Sequence, residues 1–165
     1  QFLPESKRSF PNPTTSLFKI IGLSQLFKNA SLFNKYHLEN LDQNGIHAVD
    51  TLAGAFMWVR TSILQDINGF DESFFMYGED IDLSFRIEQK GYKNYYLGNT
   101  TILHYKGEST NKNDNEYVYR FYGAMKIFSR KHFPKTYPIY ALGVNLLIAT
   151  QILKLSVLRI FSKKA

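Results

Sequence analysis

Three short stretches of this chain carry residue types able to do chemistry. The first is Gly69–Arg86, GFDESFFMYGEDIDLSFR, in which Phe74, Phe75, Met76, Tyr77 and Gly78 lead into the adjacent carboxylates Glu79 and Asp80. Ile81 and Phe85 are spaced one turn apart on one helical face and Asp82 and Arg86 on another, with Gly91 placed to end the helix in the left-handed conformation. Glu79 and Asp80 then fall at the helix N-terminus, where unpaired N–H groups and the helix dipole favour negative charge. A carboxylate there stays ionised near neutral pH, ready to accept a proton or a hydrogen bond. The plainer reading of the same residues is that Asp80 and Asp82 are first-turn helix acids and Glu79 a solvated neighbour. The second stretch is His104, at a strand end and followed by Gly107 and Ser109; a lone His in such a place is more often structural than a ligand. The third is Gly54-Ala55, where missing side chains admit a close neighbour, whether a ligand or simply a packed element. Adjacent carboxylates cannot flank a scissile bond as a glycosidase pair does, about 5–10 Å apart, which argues against hydrolysis by Glu79 and Asp80 alone.

These residues need elements to hold them. Pro4, Pro11 and Pro13 make residues 1–13 strand-edge and loop. Residues 14–38 have a mostly helical apolar spacing broken near Gly22, and Leu41–His47 is a polar turn containing Asn44-Gly45. Val49–Arg60 reads as a buried strand carrying the Gly54-Ala55 step. A short helix, Ser62–Ile67, comes next with Thr61 or Ser62 as N-cap and Gly69 just past its end. Tyr92–Tyr105 is β-rich with a turn at Gly98-Asn99, Thr110–Asn115 is polar loop, and Glu116–His132 is an amphipathic helix. Pro138–Leu153 has no charge but falls short of the ~20 apolar residues that cross a bilayer, and Lys154 and Arg159 interrupt the apolar residues beyond it. Asn145, Gln151, Lys154, Ser156 and Arg159 scatter to several sides of that segment. Packing on its own domain or on a second copy, attachment to a membrane interface and a full span all remain open for it.

At 165 residues the chain is long enough for one domain with a real core, and the absence of Cys excludes disulfides and thiolate metal sites and fits a reducing compartment. The opening QFLPESKRSFPNP has no apolar run of signal-peptide type and reads as a start in mid-domain. Net charge is +6 and unevenly spread: no Asp or Glu comes after Glu116, while Arg120, Lys126, Arg130, Lys131, Lys135, Lys154, Arg159, Lys163 and Lys164 do. Such a tail suits an anionic partner, whether nucleotide phosphate, lipid headgroup or nucleic acid. Nucleic acid is set aside because the basic residues lie mostly opposite an apolar helix stripe and no nucleic-acid-binding signature accompanies them.

In combination and order, AGAFMWVR, INGFDESFFMYGEDIDLSFRIEQKGYKNYYL and ILHYKGES resemble the C-terminal half of family 2 inverting glycosyltransferases, the bacterial rhamnosyl- and galactosyltransferase-like branch with a GT-A fold. The resemblance runs from Phe2 to Phe133 and is densest from Gly54 to Ser109. It implies an α/β fold, a partial GT-A (Rossmann-like) sheet with flanking helices, over residues 1–135, then a C-terminal helical extension, a candidate for membrane association, over residues 136–165. It implies that Asp80 is the catalytic base, taking the proton of an acceptor hydroxyl in one in-line displacement with inversion. It implies that Glu79 orients the acceptor, that His104 joins the divalent metal, Mn or Mg, on the donor diphosphate, and that Gly107 and Ser109 belong to a loop closing over the nucleotide. Gly54 and Ala55 would line the donor sugar. Phe75, Met76 and Tyr77 would form an acceptor platform, since sugar CH faces stack on aromatic rings. The implied partners are a nucleotide-diphosphate sugar and a glycan or lipid-linked glycan, with a homodimer as a further option and a cytoplasmic location at the inner membrane face.

The chain departs from the family pattern in one respect. No Asp-x-Asp metal site lies upstream of Gly54; Asp42 and Asp50 stand in the wrong context, and Asp80-Ile81-Asp82 belongs to the base-bearing helix. The expectation is an acceptor-side fragment, without tight nucleotide binding or turnover on its own. A non-catalytic interaction or dimerisation module built on the two C-terminal helices is the rival reading.

Overall fold

The structure is a computed structural model that describes residues 3–11, 36, 38, 40–104 and 114–162. The helical spacing over residues 14–38 and the Gly107 and Ser109 positions lie outside the described residues, 36 and 38 excepted. A single 3-10 turn, Pro4–Ser6, precedes β1 (Lys7–Arg8), then come β2 (Ile46–Val49), β3 (Thr51–Leu52), α1 (Thr61–Asp66), α2 (Glu79–Gln89), β4 (Asn94–Leu97), α3 (Asn115–His132) and α4 (Tyr137–Ser162).

Helices and small sheets mix as an α/β chain should. Among the described residues the strands form two antiparallel ladders: β1 on β3, with Lys7 opposite Leu52 and Arg8 opposite Thr51, and β2 on β4, with Ile46 opposite Leu97 and Val49 opposite Asn94. Asn94 stitches the second ladder to the rest, its buried amide donating to the Asp50 and Ser84 carbonyls at 2.8 and 3.0 Å. The long strand expected over Val49–Arg60 is broken. Regular pairing stops at Leu52, residues 54–56 form an exposed turn, and Trp58 is 91% exposed. The physical reason lies 26 residues further along the chain: the Gly54 N–H is given to the Asp80 carboxylate, leaving it no ladder partner.

α1 begins one residue earlier than expected, with Arg60 at the N-cap and no side-chain cap. α2 keeps the expected start, and Gly91 takes the left-handed backbone just past its end. Its Leu83 and Ile87 bury against Ile67, with Met57, Val59, Ile63 and Leu64 around them. Its Ile81 and Phe85 pack instead against Phe74 and against Ala124 and Phe128 of α3. Each such buried side chain stabilises by roughly 1.5–3 kcal/mol.

Between those two apolar clusters sits a charge. The Asp82 side chain is wholly buried, and its carboxylate accepts from Arg86 Nε at 2.6 Å, Lys131 Nζ at 2.8 Å and His132 Nε2 at 2.7 Å. Arg86 also donates to the Ile67 and Gly69 carbonyls, and Lys131 to Asp71 Oδ2 at 2.6 Å. One carboxylate thus ties α2 to α3 and to the loop after α1. Burial pushes Asp82 up, but the hydrogen bonds from His132, Lys131 and Arg86 outweigh it and hold the group below its ordinary value. The Lys131 bond and those from Ser73 hold Asp71 well below the usual carboxylate range.

α3 starts on Asp114, whose carboxylate caps the Glu116 N–H. α4 turns back after a four-residue connection and lies antiparallel on α3, with Tyr140 and Val144 buried between them. It is one unbroken helix of 26 residues, longer than the uncharged run Pro138–Leu153, and Tyr137–Ile160 is long and apolar enough to cross a membrane by length and composition. Almost none of that stretch is buried.

Because Asp71 and Asp82 hold their protons less tightly folded than unfolded, the unfolded chain takes up protons first as the pH drops, and stability is lost progressively below about pH 5. Asp82→Asn is expected to flatten that acid slope and to lower stability at neutral pH by about 1–3 kcal/mol, since it removes the charge that Arg86, Lys131 and His132 share. Urea midpoints across the pH range measure both; parallel curves for the two proteins would remove the network from this role.

Candidate active site

An α-helix turns about 100° per residue, so the side chain at Asp80 points about 200° away from that at Asp82. With Asp82 turned inward to α3, Asp80 must face the other way, toward β1 and β3. There its Oδ2 accepts from Arg8 Nη2 at 2.7 Å and from the Gly54 N–H at 3.0 Å, while Oδ1 accepts from the Ile81 N–H at 2.8 Å. The two charged side chains are about equally shielded, 13% exposed for Arg8 and 14% for Asp80. In such surroundings a charge-assisted hydrogen bond is strong and holds the carboxylate in one orientation. Each carboxylate oxygen has two lone pairs. Oδ2 has both engaged, and Oδ1 keeps one in reserve.

Gly54 has a steric role here. A Cβ at that position would lie 3.3 Å from Asp80 Cβ and 3.8 Å from its Oδ2. The close neighbour that the Gly54-Ala55 step admits in this structure is therefore Asp80; Ala55 comes after it, exposed, in the turn.

The approach to Asp80 is strained. Tyr77 and Gly78 both have positive φ, 68° and 82°, directly before α2. For Tyr77 that backbone is uncommon and costly. It is held there by edge contacts of its ring with Tyr117 and Phe121 of α3, each at 5.7 Å between centroids. At Gly78 only glycine fits on two counts, since a Cβ would also stand 3.2 Å from Phe74 and 3.3 Å from Ala124.

Glu79, beside Asp80, buries its Oε2 without a hydrogen-bond partner. Burial, with the neighbouring Asp80 charge adding to it, raises its pKa above the ordinary value against the pull of its own backbone N–H and of Arg8. Of the three residues expected as an acceptor platform, Phe75 is 76% exposed with the Arg120 guanidinium 4.4 Å over its ring, Met76 is half-buried, and Tyr77 is packed into the α3 aromatic cluster. His104 is exposed in the irregular segment 101–104, past the end of β4 at Leu97 and not at a strand end as expected, and takes no part in the hydrogen bonds that hold Asp80. No three His, Cys, Asp or Glu side chains converge on a point that would hold a metal ion among the described residues.

Arg8 escaped the sequence reading. It lies 72 residues from Asp80 on a two-residue strand, and no local pattern marks it; only the pairing of β1 with β3 brings it across.

The sequence profile described as Glycosyl transferase family group 2 matches residues 24–154, well over half of the chain. The chain belongs to that family. An N-acetylglucosaminyl-diphospho-decaprenol L-rhamnosyltransferase of Mycobacterium tuberculosis is 32% identical over 93 residues, which cover 56% of this chain and 30% of that protein. The rhamnosyltransferase WbbL of Escherichia coli K12 is 46% identical over 57 residues, 34% of this chain and 22% of that protein. The chain thus aligns with less than a third of the length of either relative. No solved structure matches it.

Gly78→Ala should cost about 2 kcal/mol or more, from a left-handed backbone and from the clash with Phe74 and Ala124 together. Thermal unfolding measures it, and an unchanged Tm would show that the turn before α2 relaxes without penalty.

Proposed function

We propose that this chain is the acceptor side of an inverting glycosyltransferase of the GT-A type, moving a sugar from a nucleotide-diphosphate donor to a glycan acceptor in surface polysaccharide synthesis. The partial coverage of its relatives supports reading it as a portion of a longer enzyme whose nucleotide-binding half lies elsewhere. Their names favour rhamnose as the sugar, and that of the Mycobacterium tuberculosis relative a lipid-diphosphate-linked acceptor; the location proposed with it is the cytoplasmic face of a membrane. The observation that carries the proposal is Asp80: a shielded carboxylate at a helix start, pinned through Oδ2 by Arg8 and the Gly54 N–H, with an acceptor position left on Oδ1.

In this reading the acceptor hydroxyl donates its hydrogen bond to Oδ1 of Asp80. Its oxygen attacks the anomeric carbon from the face opposite the diphosphate. The new C–O bond forms as the bond to the diphosphate breaks, the electron pair leaves on phosphate, and the hydroxyl proton passes to Asp80. One displacement inverts the anomeric centre. Arg8 acts through Asp80, balancing its charge and fixing its rotamer, and Glu79 and the exposed Phe75 ring orient the sugar. A divalent ion, Mn or Mg, when bound, would neutralise the leaving diphosphate. His104 is retained as one candidate ligand for it, with Gly107, Ser109 and Ala55 kept on the donor side.

Asp80→Asn in the enzyme joined to its nucleotide-binding half is expected to lower kcat by about a hundredfold or more while donor binding persists. Unchanged turnover would end the base assignment. Arg8→Gln should lower kcat about tenfold to a hundredfold with little change in acceptor KM, and Arg8→Lys should restore part of it, because a lysine keeps the charge but loses the planar fork. Equal loss in both variants, tracking a fall in Tm, would make Arg8 merely structural.

A further inference from the structure

We infer that α4 lies in the plane of a membrane surface, its outer face sunk at the headgroup boundary of an anionic leaflet, and does not cross the bilayer. This deepens the membrane side of the proposed function and is independent of the transfer chemistry.

The outer face of α4 is apolar and uncovered: Ile139, Leu142, Leu146, Leu153 and Ile160 share it at helical spacing and are all more than half exposed. At 1.5 Å per residue, the apolar stretch Tyr137–Ile160 is about 36 Å long. Taken alone it is long enough to span. The fold argues otherwise, because α4 runs back along α3 and buries its first turns against it. Tyr140 and Val144 bury at the near end, Lys126 Nζ donates to Asn145 Oδ1 at 2.9 Å, and at the far end Arg159 Nη2 comes within 4.0 Å of Asp114 Oδ1, which caps the start of α3. A crossing α4 would drag α3 into hydrocarbon with its Glu116, Arg120, Lys126 and Arg130, or else strip away the buried contacts between the helices. Lying flat, the pair keeps α3 on the protein side and gives the apolar face alone to lipid.

Charge selects the occupant. Exposed Lys135 stands at the turn into α4 and exposed Lys154 toward its end, and no acid occurs anywhere after Glu116. A second copy meeting this face across a two-fold axis would set these like charges against one another. An anionic leaflet complements them.

The purified chain is tested by flotation with vesicles of phosphatidylcholine alone and of phosphatidylcholine mixed with phosphatidylglycerol. The expected result is binding to the anionic vesicles, weakened about tenfold or more by Leu142→Glu with Leu146→Glu at unchanged helical circular dichroism. Leu153→Glu, further from the buried Tyr140 and Val144, gives a second reading should the double variant fail to fold. Because the chain has no Cys, single substitutions Thr136→Cys and Ser162→Cys report sidedness. Both should react with an impermeant maleimide added outside. Failure to bind anionic vesicles overturns the inference, as does protection of Ser162→Cys until detergent is added, which would mean a span. A dimer lost in the Glu variants with vesicle binding intact would assign the face to a second copy. None of these outcomes depends on turnover, so each can fail while the catalytic assignment stands.

Discussion

A carboxylate sealed away from water has to be answered by cations or hydrogen-bond donors, and Asp82 is answered by three at once. Arg86 comes from the next turn of its own helix, Lys131 and His132 from the last turn of α3. Through Arg86 the same charge reaches the carbonyls of Ile67 and Gly69, and through Lys131 it reaches Asp71. Neither α2 nor α3 is held by apolar packing alone. The cost of leaving any of these groups unpaired in a dry interior makes the arrangement close to all-or-none. It fixes both the position of α2 and its rotation about its own axis.

That rotation places the chemistry. Two residues before an inward-facing Asp82, Asp80 has nowhere to point but toward the β1–β3 ladder, where Arg8 and the Gly54 N–H receive it. The helix start is set with equal care. Tyr77 and Gly78 hold a left-handed entry that only packing against Phe74, Ala124, Tyr117 and Phe121 sustains. Strain stored beside a candidate base, and tolerated because the surroundings over-determine it, is the arrangement expected of a functional site.

α3 serves both the candidate site and the apolar face. Its first turns supply the aromatic rings that brace Tyr77, its last turn supplies the Lys131 and His132 donors for Asp82, and its outer side carries α4. A sugar acceptor attached to lipid would therefore meet a site whose supporting helix also bears the apolar face proposed to rest on the membrane. The distance from lipid surface to Asp80 is then set by one helix pair.

Elements with strong local signals could be read directly along the chain. The start of α2 at Glu79 and its Gly91 terminus, the turn near Gly98, the amphipathic α3 and the shared helical face of Asp82 and Arg86 come from helical spacing and turn chemistry within a few residues. The family was legible for the same reason, in the contiguous run around GEDIDLSFR. What local pattern could not carry was anything set by partners far along the chain. The Val49–Arg60 stretch looked like a strand because its apolar residues are nearly continuous, yet its Gly54 N–H is claimed by Asp80 and regular pairing ends at Leu52. Among the described residues the strands pair as two short ladders. Arg8 became visible only when β1 met β3, since a lone arginine between prolines has no periodicity to read. For α4 the spacing left self-packing, interfacial attachment and a span all open, because what a helix lies against is set by partners outside it. Such points wait for the folded chain because hydrogen-bond satisfaction and charge compensation are settled across space, over separations of tens of residues, where neighbours in sequence exert no control.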